Sequence, residues 1–170
     1  MASFKLKKGL NINLAGAPEA KLVSVQEDKT FSLVPDDFVG ITPKVLVKVG
    51  DSVSAGTPLF QDKNHPEIKF VSAVSGTVEA VNRGERRKVL SIVVAKDGKG
   101  TSVQLPAVNP ASASAADIKT ALLNAGVWPF IKQRPYNVVA NPEVQPRDIF
   151  VSAWDSAPLA PDFSFVVKGQ

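Results

Sequence analysis

The chain has 170 residues and a mass of 18.1 kDa, room for one ordinary domain or one domain plus part of another; its 44% hydrophobic and 21% charged residues exclude disorder as the main state. It contains no cysteine and one histidine, His65, which excludes a disulfide scaffold, a locally held iron–sulfur cluster, a zinc ribbon and a thiol nucleophile, and argues against imidazole metal clusters and Ser-His-Asp catalysis. A net charge of +4 is mildly basic and short of a nucleic-acid footprint, so the composition favours a binding or assembly role over chemistry.

Along the chain, Lys5, Lys7 and Lys8 precede Leu10, Ile12 and Leu14, which alternate with Asn11 and Asn13. That is a strand pattern and not a signal-peptide core. Nowhere do about 18 apolar residues run together, so no membrane-spanning helix is predicted. Gly, Pro, Asp and Asn then bound short runs rich in Val, Ile and Leu at 22–25, 30–34, 44–49, 68–72, 76–81 and 89–95, which predict an all-β unit. The stretches 40–53 and 76–89 resemble each other: a glycine opens an alternating strand, a Gly-acid turn follows, and a valine resumes the strand. This approximate repeat predicts two interlocked halves with pseudo-twofold symmetry.

Residues 106–116 are small and polar, as in a linker. Ser114 and Asp117 have capping-box spacing and open a helix through Ile118, Ala121, Leu122 and Ala125, with Gly126 as the natural residue beyond its end. An aromatic connection broken by prolines spans 127–136. Residues 148–154 read as a buried strand ending in a polar loop. Helix followed by buried strand is the rhythm of an α/β domain. One helix and one strand do not complete such a domain, so the chain reads as truncated, or as packing on something beyond itself. The predicted domains are a β-rich unit at 1–105, a linker at 106–116 and a helix–strand segment at 117–170 that begins an α/β, Rossmann-like domain.

Within the β unit, Val49-Gly50-Asp51, Val53, Gly56 and Leu59, with Ser75-Gly76 and Val78 downstream, resemble the biotinyl/lipoyl-type barrel-sandwich hybrid. Gly50 suits a left-handed turn, Asp51 can bond neighbouring backbone, and Val53 and Leu59 are predicted to face a small core. A carrier of this fold would bear its cofactor on a hairpin lysine, and Asp62-Lys63 is the lookalike. Asn64-His65-Pro66 draws out that loop, and no Met-Lys-Met is present, so Lys63 reads as a solvated loop residue. A swinging-arm carrier or a non-redox adaptor remains the alternative reading.

A wider set of fragments occurs in one order: Lys7-Lys8-Gly9-Leu10, Leu14-Ala15-Gly16-Ala17-Pro18, Phe38-Val39-Gly40 with Pro43, Phe60-Gln61-Asp62-Lys63, Lys69-Phe70, Val81-Asn82-Arg83-Gly84, Trp128-Pro129-Phe130 with Arg134-Pro135, and the run 150–160. Together they resemble the N-terminal part of the A subunits of the sodium-translocating NADH:quinone oxidoreductase family, over essentially the whole chain. The resemblance implies a peripheral subunit on the cytoplasmic face of a bacterial inner membrane, without transmembrane helices, in a complex that oxidises NADH, reduces quinone and pumps sodium. Its partners would be the other subunits of that complex, membrane subunits included. Flavins, iron–sulfur centres and NADH would belong to those partners, leaving this chain with no bound cofactor, no metal and no catalytic residue of its own. The resemblance also implies a chain more than twice this length.

A peripheral quinone site needs an apolar cleft, a few polar donors and aromatic or proline walls. Trp128, Phe130, Arg134, Pro135 and Tyr136 supply those types within nine positions, and Phe38 adds a second candidate beside Asp36 and Asp37. The competing reading makes Trp128 and Phe130 a hydrophobic hinge between the two domains and Phe38 a core residue. Arg83, Arg86, Arg87 and Lys88 form the densest basic cluster, at a predicted hairpin tip. They are a solvated face or a docking patch for an acidic subunit or anionic headgroups. Ser75-Gly76-Thr77-Val78 resembles the flavin-attachment signature of other subunits of the complex, but valine stands where the attaching threonine would be. Asp36, Asp37, Asp51 and Asp155 lack metal-ligand spacing, and no dinucleotide or P-loop motif occurs, which disfavours NADH binding here.

Overall fold

The computed structural model describes residues 5, 14–16, 19–26, 28–152, 155, 157 and 159–168. The chain divides into two compact units, Glu27–Gln145 and a second formed by Met1–Gln26 with Pro146–Gln170.

The larger unit is built on seven antiparallel strands: β1 (Thr30–Leu33), β2 (Pro43–Val45), β3 (Ser52–Val53), β4 (Pro58–Asp62), β5 (Lys69–Val71), β6 (Gly76–Arg83) and β7 (Val89–Lys96). They form a four-stranded sheet ordered β1-β7-β6-β3 and a three-stranded sheet ordered β2-β4-β5. Val53, Val78, Val89, Ile92 and Val94 from the first sheet and Leu59, Phe60 and Phe70 from the second share one core with Ile68 and Val139. Burying each such side chain is worth about 1.5–3 kcal/mol, so this cluster dominates the unit's stability. Phe60 and Phe70 stack with ring centroids 4.3 Å apart.

Local signals explain the turns. Gly50 takes φ of +94°, and the Asp51 carboxylate accepts the Lys48 backbone N–H at 2.8 Å. The turn then docks on β6, where the Gly50 N–H donates to the Val78 carbonyl and the Val78 N–H donates to that of Asp51. Helix α1 (Ala115–Asn124) begins at the expected capping box. Ser114 Oγ accepts the Asp117 N–H at 3.1 Å, and the Asp117 carboxylate accepts the Ser114 N–H at 3.2 Å. Two hydrogen bonds from Ser114, hydroxyl first and backbone second, hold the Asp117 carboxyl below the usual carboxylate range. Gly126 follows the helix at φ +69°, where a Cβ would stand 2.6 Å from the Val71 side chain, so α1 ends against β5. A short hairpin of β8 (Lys132–Gln133) and β9 (Val138–Val139) completes the unit.

Several expectations are corrected. Residues 22–25 form no strand, and Leu22, Val23 and Val25 are exposed because nothing pairs with them among the described residues. Of the strand expected through Leu14, residues 10–13 lie outside the described set, and Leu14 itself is exposed and irregular. The run at 44–49 is a strand only to Val45, with one further bond from the Leu46 N–H to the Leu59 carbonyl at 2.9 Å. The two similar stretches take different roles: 76–89 folds back as the β6–β7 hairpin, whereas 40–53 places β2 in one sheet and β3 in the other. The expected buried strand at 148–154 is absent over 148–152, where Ile149, Phe150 and Val151 are all exposed; Ala153 and Trp154 lie outside the described residues. In the smaller unit, Asp162 caps a short helix α2 (Phe163–Val166), its carboxylate accepting the Ser164 and Phe165 N–H groups.

Candidate functional site

The aromatic candidates gather around the turn Trp128–Phe130, which follows α1 directly. Pro129 is buried beneath it, and the half-buried Trp128 donates its indole N–H to the Ala140 carbonyl at 2.8 Å. That bond ties the turn to the strand end of the β8–β9 hairpin. The Ala140 N–H returns to the Ile131 carbonyl, and the Val139 N–H donates to Val39, beside Phe38. Phe38, far away in sequence, is therefore brought against this turn: its ring meets Phe130 edge-on at 6.0 Å and Phe70 at 4.7 Å. The result is a line of four rings from buried Phe60 through Phe70 and Phe38 to Phe130, which is 70% exposed. The Lys132 ammonium sits 5.4 Å from the Phe38 ring centroid, a cation–π distance that sequence spacing did not single out.

Arg134, Pro135 and Tyr136 form the tip of the β8–β9 hairpin and are exposed, Tyr136 at 81%. Together these residues form an open aromatic ledge with a polar tip. The single donor of Trp128 is already engaged. Two shallow concavities of about 310 and 360 Å³ lie elsewhere, along α1 and residues 105–110, with linings such as Leu105, Val108 and Leu122.

The basic candidates occupy the β6–β7 turn. The Lys88 N–H closes it onto the Glu85 carbonyl at 3.0 Å, with Arg86 at φ +52° and Arg87 at φ +62°. Two successive left-handed residues make the primed hairpin turn that Asn-Gly satisfies without strain. Arginine in both places costs about 1–2 kcal/mol each. Arg83 braces the turn by donating to the Arg87 carbonyl at 3.2 Å, and Lys88 pairs with Asp36 at 2.6 Å. Both members of that pair are more than half exposed, so it adds little stability. The charge left at the tip is carried chiefly by the exposed Arg86 and Arg87.

Lys63 is exposed, but its backbone N–H is fixed on the Thr42 carbonyl at 2.7 Å, and it precedes the turn His65–Ile68 instead of crowning it. Ser75 is buried and donates to the Asp97 carboxylate at 2.6 Å, so the segment that resembles a flavin signature is a packed strand start.

The larger unit is thus an antiparallel β module that carries an aromatic ledge and a cationic turn. A family model of the NqrA N-terminal barrel-sandwich hybrid domain matches residues 4–97, and one of the NqrA second alpha/beta domain matches residues 113–170. The chain belongs to the NqrA family. It is similar to the A subunit of the Na(+)-translocating NADH-quinone reductase of Pseudomonas aeruginosa (strain UCBPP-PA14), 36% identical over 169 residues, which are 98% of this chain and 38% of that protein. The subunits of the same name from Serratia proteamaculans (strain 568) and Neisseria meningitidis serogroup A are 35% and 34% identical, covering 98% and 97% of this chain. The chain spans less than two fifths of the length of these curated relatives: 38% of the Serratia protein and 37% of the Neisseria one. The fold expectation, barrel-sandwich hybrid followed by the start of an α/β domain, agrees with both matches.

Proposed function

We propose that this chain supplies the first two regions of a peripheral subunit in a complex that oxidises NADH, reduces quinone and pumps sodium. The observation that carries this reading is the ordered match to two successive NqrA regions across nearly the whole chain. Among the described residues no helix is long and apolar enough to cross a membrane, which is compatible with attachment to the cytoplasmic face of the inner membrane through partner subunits. The flavins, iron–sulfur centres and NADH are assigned to those partners. The domain division is 1–105, 106–116 and 117–170; the gap between the two family matches, residues 98–112, overlaps that linker and supports a boundary near it. Tagged full-length protein, purified from its own membranes, should recover flavoprotein and membrane subunits. Recovery without them overturns the assignment.

Within that complex the aromatic ledge is the quinone-contact surface. Phe130 and Phe38 offer ring faces and edges for stacking, Lys132, Arg134 and Tyr136 offer donors to carbonyl oxygens, and Trp128 with Pro135 fixes the hairpin. An open ledge becomes a water-excluding site only when another subunit covers it. A photoreactive short-chain benzoquinone applied to the intact complex should label 128–136 and Phe38, and labelling should fall several-fold in Phe130→Ala. Labels confined to other subunits dispose of the idea.

The arginine turn is the docking patch. A strained turn kept with two arginines, where neutral residues would relax it, supports a role for their charge. Reversing Arg86 and Arg87 to glutamate in the full-length protein should lower recovery of assembled complex several-fold. Unchanged recovery removes the role.

A further inference from the structure

The β4–β5 connection brings the chain's single imidazole beside two carboxylates. His65, Pro66, Glu67 and Ile68 form a β-turn closed by the Ile68 N–H on the His65 carbonyl at 2.9 Å, with proline at the position whose φ suits it. The turn is anchored at both ends. Asp62, buried, accepts the Thr42 N–H at 2.8 Å, and its own N–H donates to the Ile68 carbonyl at 3.1 Å; Ile68 lies in the core. This geometry sets His65 Nδ1 3.7 Å from Glu67 Oε1, with the imidazole only a quarter exposed.

Glu143 arrives from the segment after β9. Its N–H is held by the Asn141 side chain at 2.9 Å, and Lys119 at the adjacent Pro142 carbonyl, 2.7 Å away, fixes that segment to α1. One ligand atom from each of His65, Glu67 and Glu143 then lies within 4.8 Å of the others. Among the described residues neither carboxylate forms an ion pair with a lysine or arginine. An imidazole and two carboxylates from separate segments therefore converge on one point, a donor set that a cation can share.

We infer that His65, Glu67 and Glu143 form a binding site for a divalent first-row transition ion, with water completing its coordination. One nitrogen and two oxygens suit zinc and its neighbours in that series better than magnesium or calcium, which prefer oxygen alone. Ligand atoms around zinc stand roughly 3.4 Å apart at bond lengths of about 2.0–2.2 Å, so rotation of the two exposed carboxylates closes the site without moving backbone. The spacing of the sequence did not reveal it, because Glu143 lies far along the chain from the His65 turn.

The test is titration of the purified chain with zinc by calorimetry, and with cobalt by visible absorption. One zinc per chain is expected. His65→Ala and Glu143→Gln should each weaken binding by at least about tenfold, the smaller end of the loss seen when even a supporting partner of a metal site is removed. Glu79→Gln, an exposed carboxylate on β6, should leave it unchanged, and thermal melts should show that each variant folds. No saturable uptake overturns the proposal. So does uptake that depends on His65 alone, which marks adventitious histidine binding, and uptake that Glu79→Gln weakens as much as Glu143→Gln does.

Discussion

Strand β7 and the run 149–151 have nearly the same chemistry and opposite fates. Both are rich in Val and Ile, yet Ile92 and Val94 are completely buried while Phe150 is 89% exposed. β7 lies between β1 and β6, so its backbone groups are paired on both sides and its alternate side chains meet the core. Residues 149–151 form no strand among the described residues. Apolar, β-branched sequence is permissive for a strand, and the neighbours that pair with it decide whether one forms.

The contrast can be broken or sharpened by substitution. The largest effect is expected at Gly76, where a Cβ would stand 1.9 Å from the Ala95 carbonyl oxygen of β7. Gly76→Ala forces the two strands apart and should cost more than about 4 kcal/mol in urea denaturation. Phe60→Ala removes a buried ring from the stack with Phe70 and should cost about 3–5 kcal/mol by the same measurement. A change of opposite sign is expected at the arginine turn. Arg86→Asn with Arg87→Gly relieves two left-handed arginines and should stabilise the isolated chain by about 2–4 kcal/mol, read as a rise in Tm.

A smaller effect is visible only against pH. The Ser75 hydroxyl, and then the Lys99 N–H, hold the Asp97 carboxyl below its ordinary value of 3.8. Its contribution is fully present above about pH 4 and is lost as pH falls through the lowered folded-state value. Asp97→Asn should therefore lower Tm at neutral pH and converge with the parent protein in acid. The least effect is expected at Phe150→Ser, within about 0.5 kcal/mol. A loss above about 1 kcal/mol there would mean that the run is packed, and would break the comparison.

Local chemistry was legible in the sequence. The Ser114–Asp117 box, Gly126 and Gly50 each perform a task that depends on near neighbours, and β6 and β7 alternate clearly enough to be read. Strand β4 was not, because its register shifts between Pro58 and Phe60 and buries Leu59 and Phe60 in succession, erasing the two-residue period. The ledge was half legible. Its aromatic residues could be named, but the meeting of Phe38 with Phe130 and the grouping of His65 with Glu143 depend on long-range closure that no spacing encodes.

The strands at the margins of the two sheets carry a further consequence. Among the described residues β1 and β3 are the outer strands of one sheet and β2 and β5 those of the other, and they have four, two, three and three residues. β2 also opens on Pro43, which has no N–H to offer a newcomer. Fringes this short give a foreign strand almost no template for zipping on, the route by which exposed sheets turn into aggregates. Such margins hinder strand-to-strand pairing between copies of the chain and leave association to side chains.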